Sequence, residues 1–422
     1  MTQHNTRDAG DAPANATHRA PATTPARERI ATIGAFFANG LGIGAWAAEI
    51  PRIKEHLGLS DTLLGIALLS FAAGAIIAMP MAGRVALRLG TPRSTLLASL
   101  AFVVLLGLPG FAPSLPVIMA ALFVLGMSNG SMDVLMNGHA SYIETRWGKA
   151  IMSSFHAAWS FGGLLGASLG GFIAKSGFSV GAGLALPAVA SAVIVIASAI
   201  IGLKPGFEAP PVHHEKVPFT FRNRLLLLLG AVAFLSMVTE GSVTDWSGVY
   251  LRTIAHGTAA EAALGYASFA FAMTACRLIG DLFVRRFGQQ AMMWIGGGLS
   301  AIGFLIVIAV PQVVIGCAGY VLIGVGLSNL VPIIFSAAGR AGATPAIGVS
   351  MAATAGYAGF LIGPPIIGFC ADMLGMRIAF LLLLVAACAI AIVGGRVVGE
   401  TPALTQAEPD AAPGAACTPQ TH

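Results

Sequence analysis

Residues 115–138 read LPVIMAALFVLGMSNGSMDVLMNG, an apolar stretch whose single charged side chain is Asp133. A helix needs about 20 predominantly apolar residues to cross the hydrocarbon core of a bilayer. This stretch therefore predicts a transmembrane helix with one carboxylate at membrane depth. Eleven further apolar segments follow the same pattern, at residues 30–50, 61–83, 94–112, 150–174, 180–203, 225–250, 261–284, 291–310, 312–334, 347–371 and 378–396. The sequence thus predicts an all-α polytopic membrane protein with twelve spans.

The composition supports this prediction. Of the 422 residues, 56% are hydrophobic and only 10% are charged, and the mean hydropathy is +0.82. Soluble domains carry about 25% charged residues, so a water-soluble globule is excluded. The 53 glycines fit closely packed transmembrane helices, in which small residues let backbones approach each other.

Other functional classes lack the residues that they need. None of the five cysteines forms a C-x-x-C pair, so we expect no disulfide framework and no metal site. No phosphate-binding loop occurs, so ATP is not expected to drive the protein directly. No basic and aromatic surface for nucleic acid is visible, and no set of nucleophile, base and orienting residue indicates an enzyme. We expect the protein to need no cofactor and to be a monomer.

The positive charges predict the topology. With a cytoplasmic N-terminus, 17 of the 23 Lys and Arg residues fall on the cytoplasmic side, five fall outside, and Arg277 lies within a span. This bias predicts an inner (plasma) membrane protein with both termini in the cytoplasm. We predict disordered tails at 1–29 and 397–422, six-helix lobes at 30–203 and 224–396, and a cytoplasmic linker at 204–223.

The two halves of the chain resemble one another. Residues 126–129 of span 4 read GMSN, and residues 326–329 of span 10 read GLSN. The glycines of span 5 have counterparts in span 11, and the RLG at 88–90 after span 2 has a counterpart in the RFG at 286–288 after span 8. Three matches in the same order indicate a duplicated six-helix unit, which is typical of transporters that bind their solute between two lobes.

These features resemble the major facilitator superfamily over residues 30–396. The loop GRVALRLG at 83–90 is similar to that family's G-x-x-x-D-R-x-G signature, although Leu87 replaces the aspartate. The nearest likeness is to fucose-permease-like and MosC/YbjJ-like proteins, through GAWAAEIP at 44–51, the Asp133 to Asn137 spacing, and EGSVTDWSGVY at 240–250. The resemblance implies two lobes that rock about a central site. It also implies gating positions in the paired loops, at Gly83, Arg88, Gly90, Arg286 and Gly288.

Three carboxylates are candidates for proton coupling, because a charge at bilayer depth is costly unless it faces water or a partner. Asp133 is the first candidate. Asn129 and Asn137 lie four residues before and after it, so all three share one helix face. The resemblance to fucose permease implies that the Asp133–Asn137 pair is a protonation site. The alternative is a structural aspartate bonded to neighbouring helices. Glu240 and Glu49 are the other candidates.

Several polar residues in the spans are candidates for binding the solute. His156 lies where fucose-permease-like proteins have a sugar-contacting glutamine, and a packed core histidine is the alternative reading. The remaining candidates are Asn129, Asn137, Trp159, Asn329 as the repeat counterpart of Asn129, Tyr357, and Asn39. Arg277 and Asp281 form an i, i+4 pair that we predict near the cytoplasmic edge, either as part of an inner gate or as a simple helix pair.

The sequence therefore predicts a secondary active transporter that works by alternating access. We predict proton-coupled movement of a small polar, sugar- or polyol-like solute. Efflux of drugs or metabolites is the alternative function, and a membrane sensor that kept the carrier fold without transporting is a third.

Overall fold

The computed structural model describes residues 25–147, 151–202, 223–342 and 345–401, so most of the predicted tails and linker lies outside the described residues. The helices of the N-terminal half are α1 (Pro25–Leu57), α2 (Asp61–Leu89), α3 (Thr91–Leu105), α4 (Leu115–Trp147), α5 (Met152–Lys175) and α6 (Val180–Ile201). Those of the C-terminal half are α7 (Arg224–Thr253), α8 (Ala259–Phe287), α9 (Gln289–Ala309), α10 (Val313–Leu327), α11 (Leu330–Ala341), α12 (Pro345–Leu374), α13 (Met376–Ala389) and α14 (Gly395–Gly399).

The predicted twelve spans are confirmed, since twelve helical segments are long and apolar enough to cross a membrane. Two of them are not single regular helices. Span 10 consists of α10 and α11, which are separated at Ser328 and Asn329, and span 12 joins α13 to α14 through the π-helical turn Ile390–Gly394.

The first span is longer than the sequence predicts, because α1 begins at Pro25 rather than at residue 30. The composition of the tail gave no apolar signal for these residues. The first turn of α1 is held by an ion pair with another helix. Glu28 is buried, and its carboxylate lies 2.8 Å from the guanidinium of Arg146 in α4.

We call helices α1–α6 the N-terminal lobe and helices α7–α14 the C-terminal lobe. We call the face on which α1 begins and α14 ends the terminal face, and the face on which α1 ends the far face. The lobes meet along two main seams, where α5 packs against α8 and where α2 packs against α12. Helix α1 also contacts α7 and α8.

Glycines bring equivalent helices of the two lobes into backbone contact. A Cβ atom added at Gly162 of α5 would meet the Phe37 carbonyl of α1, and one added at Gly359 of α12 would meet the Phe234 carbonyl of α7. The α1–α5 and α7–α12 pairs therefore correspond to each other. This correspondence supports the duplication that the sequence predicts.

We expect Gly166→Ala to destabilise the N-terminal lobe, because the new methyl group would meet the Leu41 carbonyl and the backbone nitrogen of Ala45. Overpacking of this kind costs about 1–3 kcal/mol, and backbone atoms cannot move aside as a side chain can. Thermal unfolding in detergent measures the effect. Gly138→Ala is the matched control, since nothing lies within 4 Å of its Cβ position. Equal melting temperatures for the two variants would contradict the packing argument.

The turns at the terminal face show the same repeat. Gly90 joins α2 to α3 and Gly288 joins α8 to α9, and both have φ of +80°. Residues with a Cβ atom rarely adopt this conformation, which explains the glycine at each turn. Arg88 and Arg286 lie in the last turns before these glycines and are exposed.

Candidate functional site

An amide network joins three helices of the N-terminal lobe. The side-chain amide of Asn39 in α1 donates to the Asn129 side-chain oxygen in α4 at 2.9 Å. The indole Nε1 of Trp159 in α5 donates to the Asn39 side-chain oxygen at 2.8 Å. Asn39 is 3% exposed, so these bonds satisfy a polar group that would otherwise be buried without partners. The network fixes the orientation of Trp159 at the lobe interface.

Asp133 lies one turn further along α4 and links the two lobes. Its Oδ1 accepts from the Asn137 amide at 3.1 Å, and its Oδ2 accepts from the Tyr357 hydroxyl of α12 at 3.1 Å. Asp133 is about 27 Å along α4 from the far-face end, so this contact lies in the terminal half of the molecule. One oxygen of the carboxylate is therefore held by its own helix and the other by the opposite lobe.

Arg277 of α8 is the centre of a second cluster. Its guanidinium donates to the Ser160 hydroxyl of α5 at 3.0 Å, to the Glu240 carboxylate of α7 at 3.4 Å, and to the Ser328 carbonyl at 3.3 Å. The side chains of Arg277 and Glu240 are only 14% and 13% exposed. The charge of each is balanced by the other, and Ser160 ties the pair to the N-terminal lobe.

The break in span 10 explains why the Ser328 carbonyl is available. In a continuous helix this carbonyl would accept from the backbone N–H four residues later, at position 332. Pro332 occupies that position and has no N–H to donate. The Nε atom of Arg277 donates to this carbonyl instead. The arginine thus compensates for a bond that the proline removes.

A small cavity lies between the two clusters, at the seam of the lobes. Trp159 and Ser160 line it from α5, Glu240 and Thr244 line it from α7, and Tyr266 and Phe269 are among the residues that line it from α8. It has room for about one water molecule, so the lobes are close together around it. The cavity offers a carboxylate, hydroxyl groups and aromatic faces.

The sequence matches one family of membrane proteins over most of its length. A profile of the Major Facilitator Superfamily matches residues 32–354. The chain belongs to this superfamily. Its members are transporters and not enzymes, so this chain is a multi-pass membrane transporter.

Relatives within the superfamily are similar over nearly their whole length. An MFS-type transporter of Yersinia pestis is 38% identical over 86% of this chain and 96% of its own length. The membrane protein MosC of Rhizobium meliloti is 34% identical over 87% of this chain and 91% of its own length. The predicted resemblance to MosC is thereby confirmed. The crystal structure of the nucleoside transporter NupG covers 89% of this chain and 100% of its own, with a TM-score of 0.67 and 15% identity, and it shows the shared superfamily fold.

The structure brings several predicted site residues of this superfamily member together. Asn39, Asn129 and Trp159 form one network, Asp133, Asn137 and Tyr357 form the next, and Glu240 lies with Arg277. Arg277 bonds to Glu240 and to groups of both lobes. The sequence predicted only a pair with Asp281 and did not predict these contacts. Asp281 lies in the same helix, and its side chain is outside the described residues.

The remaining predicted residues make different contacts. Glu49 is fully buried near the far face, where both of its carboxylate oxygens accept from Arg52 at 2.9 Å. His156 packs edge-on against Phe36, with ring centroids 5.5 Å apart. Asn329 bonds to Ser328 at the helix break, and a Cβ atom added at Gly280 of α8 would meet its side chain. The signature residues Gly83, Arg88, Gly90, Arg286 and Gly288 lie at or near the terminal-face turns.

Three residues at the site were not among those predicted from the sequence, namely Ser160, Thr244 and Tyr266. Serine and threonine are common in membrane helices, where their hydroxyl groups bond to carbonyls of the same helix. Their presence in a span therefore does not indicate a binding site. Tyr266 is 3% exposed and reaches towards Gly163 of the opposite lobe. A tyrosine hydroxyl within an apolar span requires a polar partner, and this requirement was the one available signal.

Proposed function

We propose that this transporter moves a small polar, sugar- or polyol-like solute together with a proton, by alternating access. The observation that carries the proposal is the Asp133 carboxylate, which lies at membrane depth and is hydrogen-bonded across the lobe boundary. A carboxylate in a span is costly to keep charged, so it is usually functional. Binding and release of a proton there alters the contact between the lobes directly.

The solute would bind at the seam, next to the cavity between Trp159 and Tyr266. Glu240 and Arg277 have opposite charges and form an ion pair, so their combined charge is zero. An ionic solute would bring a net charge into this enclosed site at a large desolvation cost. An uncharged solute with hydroxyl groups would instead bond to Glu240, Ser160 and Thr244 and stack its apolar face on the aromatic rings.

The proposed orientation places both termini in the cytoplasm of a cell whose inner membrane holds the protein as a monomer. The positive charges of the terminal-face loops support this orientation. The terminal face would then be the cytoplasmic face, and Asp133 would lie between the solute cavity and the cytoplasm. A proton taken up with the solute would leave on that side.

The test has two stages. Purified protein is screened for thermal stabilisation by sugars, polyols, amino acids and lipophilic cations. The stabilising compounds are then assayed in proteoliposomes for accumulation driven by an imposed pH gradient. We expect a neutral hydroxylated compound to be stabilising and to be accumulated. Stabilisation by lipophilic cations, with export driven by the gradient, would favour efflux instead, and binding without counterflow would identify a sensor.

A further inference from the structure

Asp372 joins the two lobes at the far face. It lies in the last turn of α12, in the C-terminal lobe. Its Oδ1 accepts from the backbone N–H of Asp61 at 2.9 Å, and its Oδ2 accepts from the backbone N–H of Thr62 at 2.7 Å. These are the first two residues of α2, in the N-terminal lobe. Neither N–H has an acceptor within its own helix, because the first turn of a helix leaves its donors unpaired.

The cap of α2 is therefore completed by the opposite lobe. Within the N-terminal lobe, the Ser60 hydroxyl accepts from the N–H of Leu63 only. A carboxylate at a helix N-terminus forms charge-assisted hydrogen bonds and faces the positive end of the helix dipole. Release of Asp372 would exchange two charge-assisted hydrogen bonds of α2 for bonds to water.

Close packing holds this contact in place. A Cβ atom at Gly368 of α12 would meet the Asp61 carbonyl, and one at Gly65 of α2 would lie 2.9 Å from the Pro364 carbonyl. The two backbones thus touch at two points, about one and two helical turns before the carboxylate. The lobes cannot separate at this point while Asp372 stays bonded to α2.

A second polar contact between the lobes lies at the far face. Arg252 of α7 bonds to Glu55 of α1, but their side chains are 35% and 49% exposed. Exposed ion pairs contribute little because water and salt screen them. The Asp372 side chain is exposed as well, but it accepts from two backbone N–H groups whose positions are fixed by helix α2 and by the close packing at Gly368.

We propose that Asp372 is the latch that keeps the far face closed, and that the face opens only when this carboxylate leaves the N-terminus of α2. The inference rests on the alternating access proposed above, and it concerns neither the proton nor the solute. Rocking of two rigid lobes requires contacts that form in one state and break in the other. The Asp372 cap is such a contact.

The experiment measures the separation of the lobes at the far face without solute. Spin labels are placed at Ser114 and Val314, which are exposed near the starts of α4 and α10, in a full-length cysteine-free chain in lipid nanodiscs. Pulsed electron resonance gives the distance distribution. For Asp372→Asn we expect the far-open fraction to rise by roughly tenfold, which corresponds to the loss of one charge-assisted bond. The side-chain oxygen of asparagine can accept from one of the two backbone N–H groups. Its NH2 group is a donor and cannot accept from the other.

Glu261→Gln is the matched control. Glu261 also caps a helix N-terminus at the far face, but its partner is the backbone N–H of Thr258 in the same lobe. We expect this variant to leave the distances unchanged. An unchanged distribution for Asp372→Asn, or an equal change for Glu261→Gln, would refute the latch.

A second pair of variants tests the same bond from the donor side and does not alter Asp372. Asp61→Pro removes one N–H, and proline is favoured at the first position of a helix. Asp61→Ala also removes the Asp61 carboxylate but keeps the N–H. We expect the far-open fraction to be higher for Asp61→Pro than for Asp61→Ala, and equal fractions would overturn the proposal. Because no transport is measured, this result is independent of whether a solute or proton coupling is found.

Discussion

Asp133→Asn is expected to abolish accumulation of the solute against its gradient and to leave counterflow exchange intact. Asparagine has the same shape and its oxygen can still accept from Tyr357, but it cannot bind a proton. One proton per solute and a gradient of about one pH unit can support roughly tenfold accumulation. In proteoliposomes that contain the variant, we expect the inside and outside concentrations to become equal.

Glu261→Gln serves as the control for this measurement, because it removes a carboxylate that caps its own helix and lies outside both clusters. This variant should accumulate solute as the unchanged protein does. Undiminished accumulation by Asp133→Asn would assign proton coupling to another residue, and loss of counterflow as well would indicate a role in binding or folding.

Arg277→Met is expected to cause a large loss of stability. It leaves the Glu240 carboxylate without its cation inside the bilayer, and removal of one partner of a buried ion pair typically costs about 3–5 kcal/mol. It also leaves the Ser328 carbonyl without the donor that replaces the missing N–H of Pro332. We expect a lower melting temperature in detergent, together with loss of transport.

The double variant Arg277→Met, Glu240→Gln separates charge from packing. Removal of both charges should recover much of the stability lost by Arg277→Met, while transport stays absent because the site has lost its two charged groups. Arg88→Met is the control for loss of an arginine, since Arg88 is exposed at the terminal face and changes there are usually within about 0.5 kcal/mol. A double variant as unstable as the sum of the single variants would show that the two charges do not interact.

The fold could be predicted from the sequence because its signals are local. Twelve apolar segments and the GMSN and GLSN repeats define the spans and their duplication without any tertiary contact. The break in span 10 also had a local signal in Pro332, four residues after Ser328. It was missed because the apolar character continues through the break, and a span is recognised by hydropathy.

The site was less predictable, because residues converge according to how each helix is rotated about its axis. Asp133 and its two asparagines share a helix face, and that part follows from spacing alone. The partners Tyr357 and Arg277 are 224 and 37 residues away in sequence from the carboxylates that they contact. Asp372 was missed for a related reason, since its partners are backbone N–H groups, which no side-chain motif identifies.

The two repeats have diverged in chemistry. Asn129 and Asn329 occupy equivalent positions, yet Asn129 bonds to Asn39 of another helix and Asn329 bonds to its neighbour Ser328 at a helix break. One half holds a carboxylate among neutral amides, and the other half holds an arginine paired with a glutamate. The present asymmetry therefore makes the halves non-interchangeable, and a chimera that duplicates either one should fold without reproducing this site.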